Sequence, residues 1–145
     1  MQKPKPVQEI HPAQKQKKPG PEKIMSPSPV FDTDAKTGNV LARKVALITG
    51  GDSGIGRAIA VGFVKQGAEV AICFLRNEKA DAEATRTYIS EHDGKECLLL
   101  PGDLCREVQC INVVNKAVKH FKQLDIVINN PGLHYPQRWD PKDQR

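Results

Sequence analysis

The stretch Val45-Ala46-Leu47-Ile48-Thr49-Gly50-Gly51-Asp52-Ser53-Gly54-Ile55-Gly56-Arg57 decides the fold. Val45 to Thr49 is a short apolar run with β-branched residues, which suits a strand buried on both faces. A glycine cluster ends it. From Ile55 to Gln66 apolar residues recur at helical spacing through Ile59, Phe63 and Val64, and Gly67 follows as a C-terminal stop. A strand that passes through glycines directly into a helix opens a parallel α/β unit.

The same alternation continues downstream. Glu69 to Leu75 reads as a second buried strand, and Asn77 as the N-cap of a helix reaching about His92, with Ala80, Ala84 and Tyr88 on one stripe and Asp93-Gly94 as its close. Lys95 to Leu100 is a third strand. Glu107 to Phe121 is the clearest helix, because Ile111, Val114, Val118 and Phe121 fall three or four residues apart. Leu124 to Asn129 is a fourth strand. Short strands joined by right-handed helical crossovers predict a partial Rossmann-like, doubly wound parallel sheet of order 3-2-1-4. That order leaves the fourth strand at an edge, although Leu124, Ile126, Val127 and Ile128 suit a strand with neighbours on both sides. An exposed apolar edge predicts marginal stability and self-association.

In such a sheet the first strand-to-helix turn lies at the topological switch point, where the helix directs its first amides and positive dipole end into the crevice. A pyrophosphate fits there. Gly50 would allow the sharp turn, Gly54 would let the backbone approach phosphates with no Cβ in the way, and Gly56 would allow close packing of the helix. No Gly-Lys-Ser or Gly-Lys-Thr follows, so triphosphate chemistry of the P-loop kind is excluded and a dinucleotide remains.

The 145 residues suffice for one domain. Seven of the eleven prolines precede residue 30, among lysines and glutamines without apolar periodicity. Residues 1–41 are therefore expected to form an extended arm, with a dinucleotide-binding domain over 42–134 and a frayed tail over 135–145. The net charge is +5, and seven lysines against Glu9, Glu22, Asp32 and Asp34 place three of those charges on the arm. So small a charge is weak support for a nucleic-acid partner. No apolar run approaches the roughly eighteen residues that span a bilayer, and no apolar stretch follows Lys3 and Lys5, so neither a membrane span nor a secretory signal is expected. Cys73, Cys97, Cys105 and Cys110 show no CxxC pair, and His11, His92, His120 and His134 are scattered, which argues against a zinc site and for reduced thiols in the cytoplasm.

Taken in order, the motifs closely resemble the short-chain dehydrogenase/reductase family. The family's TGxxxGxG stands here as Thr49, Gly50, Gly54 and Gly56, with Asp52, Ser53 and Ile55 between them. Asp103-Leu104 is similar to the pair that lies against the adenine ring, and Asn129-Asn130-Pro131-Gly132 to the NNAG that lines the cofactor pocket. The arm, from His11-Pro12-Ala13-Gln14 through Lys18-Pro19-Gly20 to Met25 and Pro27, is similar to the N-terminal extension of a bacterial branch. The resemblance implies an NADP or NAD cofactor. An acidic residue about twenty positions after the loop favours NAD and a basic one NADP. Arg76 stands there, so NADP is favoured.

The family's chemistry is hydride transfer, with a Tyr-x-x-x-Lys pair as acid/base and a serine polarising the substrate oxygen. Tyr88 is followed by His92 at the lysine position and Tyr135 by Trp139, so no catalytic residue carries over. The family places that set beyond the NNAG. Pro131, where the family has alanine, removes a backbone donor beside the nicotinamide. The expectation is the cofactor-binding portion of an alcohol/carbonyl oxidoreductase, inactive as written. The alternatives are a non-catalytic nucleotide-binding or regulatory module, and an interaction protein using its basic arm. The arm and the sheet edge are both expected routes to a homo-oligomer.

Overall fold

The computed structural model describes residues 25–32 and 38–130. Four strands, β1 (Val45–Thr49), β2 (Glu69–Phe74), β3 (Cys97–Pro101) and β4 (Ile126–Ile128), alternate with three helices, α1 (Gly54–Lys65), α2 (Lys79–Asp93) and α3 (Glu107–Phe121). The sheet is parallel, in the order β3-β2-β1-β4, as the alternation predicts. Ala46, Leu47 and Ile48 stand opposite Val70, Ala71 and Ile72 in register, and opposite Ile126, Val127 and Ile128 on the other side.

The sheet is covered on both faces. Ile48, Val70, Ile72 and Phe74 join Ala60, Val61 and Val64 of α1 and Ala82 and Ile89 of α2 in one core. Leu47, Ala71, Cys73 and Leu100 join Val113 and Ala117 of α3 in the other. Alternate residues of the central strands thus feed opposite cores, so both faces of the run must be apolar.

Several elements differ from the expectations. A 3-10 turn over Arg76–Glu78 precedes α2, whose N-cap is Glu78 and not Asn77. Its cause is local: the Glu78 carboxylate accepts the Leu75 amide at 3.2 Å and holds the chain in the tighter turn. The buried face of α2 is Ala82, Thr85 and Ile89, while Ala80 and Ala84 are exposed. In α3 the buried residues are Val113 and Ala117, and Ile111, Val114 and Val118 are 51%, 39% and 41% exposed. The face each helix turns to the sheet is set by its rotation over the strands, and in α3 that face carries Val113 and Ala117, with Phe121 partly buried beside them. β3 starts at Cys97, since Lys95 turns back to donate to the Gly67 and Ala68 carbonyls. β4 is only three residues long. Among the described residues it has a neighbour on one side only.

The arm expected to run to residue 41 contributes Phe31 and Leu41 to the core beside α1 and α2. Residues 1–24 and 33–37 of the arm, and the tail from Pro131 to Arg145, lie outside the described residues.

Candidate cofactor-binding site

The turn after β1 is built by glycines that no other residue replaces without strain. Gly50 has φ +60° and Gly54 φ +53°, both left-handed. A Cβ on Gly56 would overlap the Gly50 carbonyl oxygen, so this glycine lets the first turn of α1 press against the loop itself. In front of Gly54 the space is open, with nothing within 4 Å of the position a Cβ would take. A close-packed back and an open front make a cradle for a ligand that approaches the backbone. The first amides of a helix lack intrahelical acceptors and, with the dipole, favour an anion there.

Strand ends close around this turn. Gly50 donates its amide to the Cys73 carbonyl at 2.8 Å, and Gly102 donates to Phe74 at 3.0 Å. The Thr49 hydroxyl donates to the Ile128 carbonyl at 3.3 Å and accepts the Asn130 amide at 2.8 Å. Asn130 Nδ2 donates to the Gly50 carbonyl at 3.3 Å. Thr49, Gly50, Gly56 and Asn130 therefore meet in one contact group.

The other expected site residues are arranged around it. Ser53 is the N-cap of α1, makes no side-chain cap bond and hydrogen-bonds the Asp52 carboxylate. Asp52 is 4% exposed, and burial pushes its carboxyl above the ordinary carboxylate value. Ile55 is 72% exposed at the rim. Arg76 is exposed immediately beyond the end of β2. Glu78 stands two residues further on, and burial raises its carboxyl, with the Asp52 carboxylate adding to the effect. Asp103 works locally: its Oδ1 accepts the Cys105 amide at 3.1 Å, and it pairs with Arg106 at 3.8 Å. Leu104 is half-buried against the α3 core.

Three residues escaped the sequence reading. Arg57 donates through Nε and Nη2 to the Asp52 carbonyl at 3.1 and 2.6 Å, Thr85 Oγ1 donates to the same oxygen at 2.8 Å, and the Phe31 ring lies 5.0 Å from Arg57 Cζ. The only sequence signal was Arg57 itself, next to the last glycine of the loop.

Tyr88, on α2, donates its hydroxyl to Asp32, and this bond, with burial, pushes the phenol up to about 12. A phenol held protonated that firmly is the opposite of a general base poised near neutrality.

A doubly wound parallel sheet with a glycine turn between its first strand and helix is a Rossmann-like fold. Residues 44–143 match the family model of the short chain dehydrogenases, and the chain belongs to that family. It is 48% identical over 128 residues to general stress protein 39 of Bacillus subtilis (strain 168), covering 87% of this chain and 44% of that one. It is 42% identical over 122 residues to NADPH-dependent aldehyde reductase 1, chloroplastic, of Arabidopsis thaliana, covering 81% and 42%. A short chain dehydrogenase from Burkholderia cenocepacia J2315, solved in complex with NADP, superposes with a TM-score of 0.61 at 33% identity, covering 72% of this chain and 41% of that one. The chain spans less than half the length of each of these relatives.

Proposed function

We propose that this chain is the cofactor-binding portion of a nicotinamide-dependent oxidoreductase acting on an alcohol or carbonyl. The observation that carries the reading is the cradle itself: Gly56 packed on the Gly50 carbonyl, Asn130 closing the turn, and open space before Gly54. The residues fit a dinucleotide. Gly54, Ile55 and Gly56 would offer backbone amides to the diphosphate, Asp103 and Leu104 would flank the adenine, and Thr49 and Asn130 would brace the nicotinamide side. Bound there, the nicotinamide supplies a hydride donor or acceptor.

Arg76 supports NADP over NAD, because an exposed guanidinium just past β2 is placed to pair with a phosphate on the adenosine ribose. The NADP complex of the Burkholderia relative and the NADPH in the Arabidopsis relative's name agree with that preference. The exposed side of β4 and the arm are the surfaces through which the chain would self-associate.

Calorimetric titration of NADPH and NADH into the 145-residue chain tests the reading. Saturable binding is expected, stronger for NADPH, and lost in Gly54→Val, which adds a branched side chain at a left-handed position on the open front. Heats indistinguishable from dilution for both cofactors would remove the proposal. Binding without turnover of any alcohol or carbonyl would favour the non-catalytic module.

A further inference from the structure

We propose that Phe31 is a positioning residue for the glycine loop: its ring holds the Arg57 guanidinium against the Asp52 carbonyl, so that docking of the arm sets the affinity for the dinucleotide. The inference rests on the dinucleotide reading above and adds a role for a segment far from the loop in sequence.

The Asp52 carbonyl lies in the middle of the loop, two residues before Gly54, and receives an unusual convergence of donors. Arg57 Nε and Nη2 reach it from α1, and Thr85 Oγ1 reaches it from α2. Arg57 Nε also lies 2.8 Å from Thr85 Oγ1, so the three groups form one buried network. Arg57 is 9% exposed and Thr85 fully buried. The loop is therefore fastened through the Asp52 peptide to both α1 and α2. A guanidinium in that position is useful only if it stays in one rotamer, and the face of the Phe31 ring covers it at 5.0 Å, a cation–π distance.

The ring is itself held. Tyr88 meets it edge-on, with centroids 4.9 Å apart and planes at 80°. The next residue, Asp32, accepts from Lys65 of α1 and from the Tyr88 hydroxyl of α2. The arm is thus pinned to both helices at the level of Arg57. A continuous set of contacts runs from the arm through Phe31 and Arg57 to the peptide of Asp52. A loop already held in its binding conformation loses less entropy when a ligand arrives.

The test uses the full chain. Hydrogen exchange at the amides of residues 51–56, without dinucleotide, is compared among wild type, Phe31→Leu, Phe31→Trp and Asp32→Asn, alongside NADPH titration. Leucine keeps an apolar filling and loses the ring face; tryptophan keeps the face. We expect faster loop exchange in Phe31→Leu, with β1 and β2 amides unchanged, and NADPH binding about tenfold weaker, the scale of one partly desolvated cation–π contact. Phe31→Trp should stay near wild type, and Asp32→Asn, which loosens the anchor and leaves the ring, should show a smaller change in the same amides. Loop exchange unaltered in both Phe31→Leu and Asp32→Asn, or altered only in step with the sheet amides, overturns the proposal. If wild type binds no NADPH, the dinucleotide reading falls, while the exchange comparison still decides whether Phe31 holds the loop.

Discussion

Gly56 and Gly50 touch through their backbones: the Cα of Gly56 faces the Gly50 carbonyl so closely that any Cβ would collide with it, and Asn130 Nδ2 stands 2.9 Å from the same position. Gly62, on the same helix, has nothing within 4 Å of a would-be Cβ. The two glycines answer opposite demands, one steric and one absent.

The consequence is a pair of opposite effects. Gly56→Ala should destabilise the chain by about 1–3 kcal/mol, the scale of forced overpacking, because the obstructing atom is backbone. Gly62→Ala should stabilise it by about 0.5–1 kcal/mol, through helix propensity and a less flexible unfolded chain. Urea unfolding of both variants is the measurement, and equal effects would contradict the described packing.

Arg76 gives a charge-specific prediction. Arg76→Ala should weaken NADPH binding about tenfold, the loss of one charge-assisted hydrogen bond, and leave NADH binding nearly unchanged. Calorimetry at two salt concentrations checks it, since the NADPH difference should shrink as salt rises.

Asp125 ties the start of β4 to the start of β1. Its Oδ2 accepts the Val45 amide at 2.8 Å, and Gln123 and Lys44 also donate to the carboxylate. The Val45 amide bond, first among these causes, holds the carboxyl below its ordinary value. A folded-state pKa below the unfolded one means stability present above the unfolded value, about 4, and lost as pH falls through the folded one. Wild type should therefore be more stable than Asp125→Asn at pH 7, and the gap should close as pH falls below about 4. Thermal midpoints across that range decide it, and a gap independent of pH would count against the carboxylate's role.

The outer face of α3 predicts association. Ile111, Val114 and Val118 form an exposed apolar strip, and Val127 of the edge strand β4 is 49% exposed. Val127 shares a face with its register partner Leu47, whose core lies under α3, so strip and edge are on one side of the sheet. Light scattering should show self-association of the chain that Val118→Lys reduces. A monomer across a wide concentration range, with or without the substitution, would refute it.

The strand order and the glycine turn were legible because they depend on local patterns: apolar runs of strand length, helical crossovers long enough to carry the chain back to the same end of the sheet, and glycines at places where the chain turns sharply. Which face of each helix turns inward was not legible in the same way. Ile111, Val114 and Val118 outweigh Val113 and Ala117 on any count of apolar residues, yet the helix turns the second pair toward the sheet. The 3-10 turn at Arg76 escaped notice because it hangs on one side-chain bond from Glu78.

From its residue pattern alone this chain is bound to form an alternating parallel sheet with a glycine cradle at its first turn, since backbone freedom and hydrophobic period are properties of neighbours along the chain. Folding settled the rest. Arg57 meets Thr85 across 28 positions, and Tyr88 meets Asp32 across 56. Contacts at such separations depend on which surfaces are left to cover once the sheet has formed, and no local pattern carries that information.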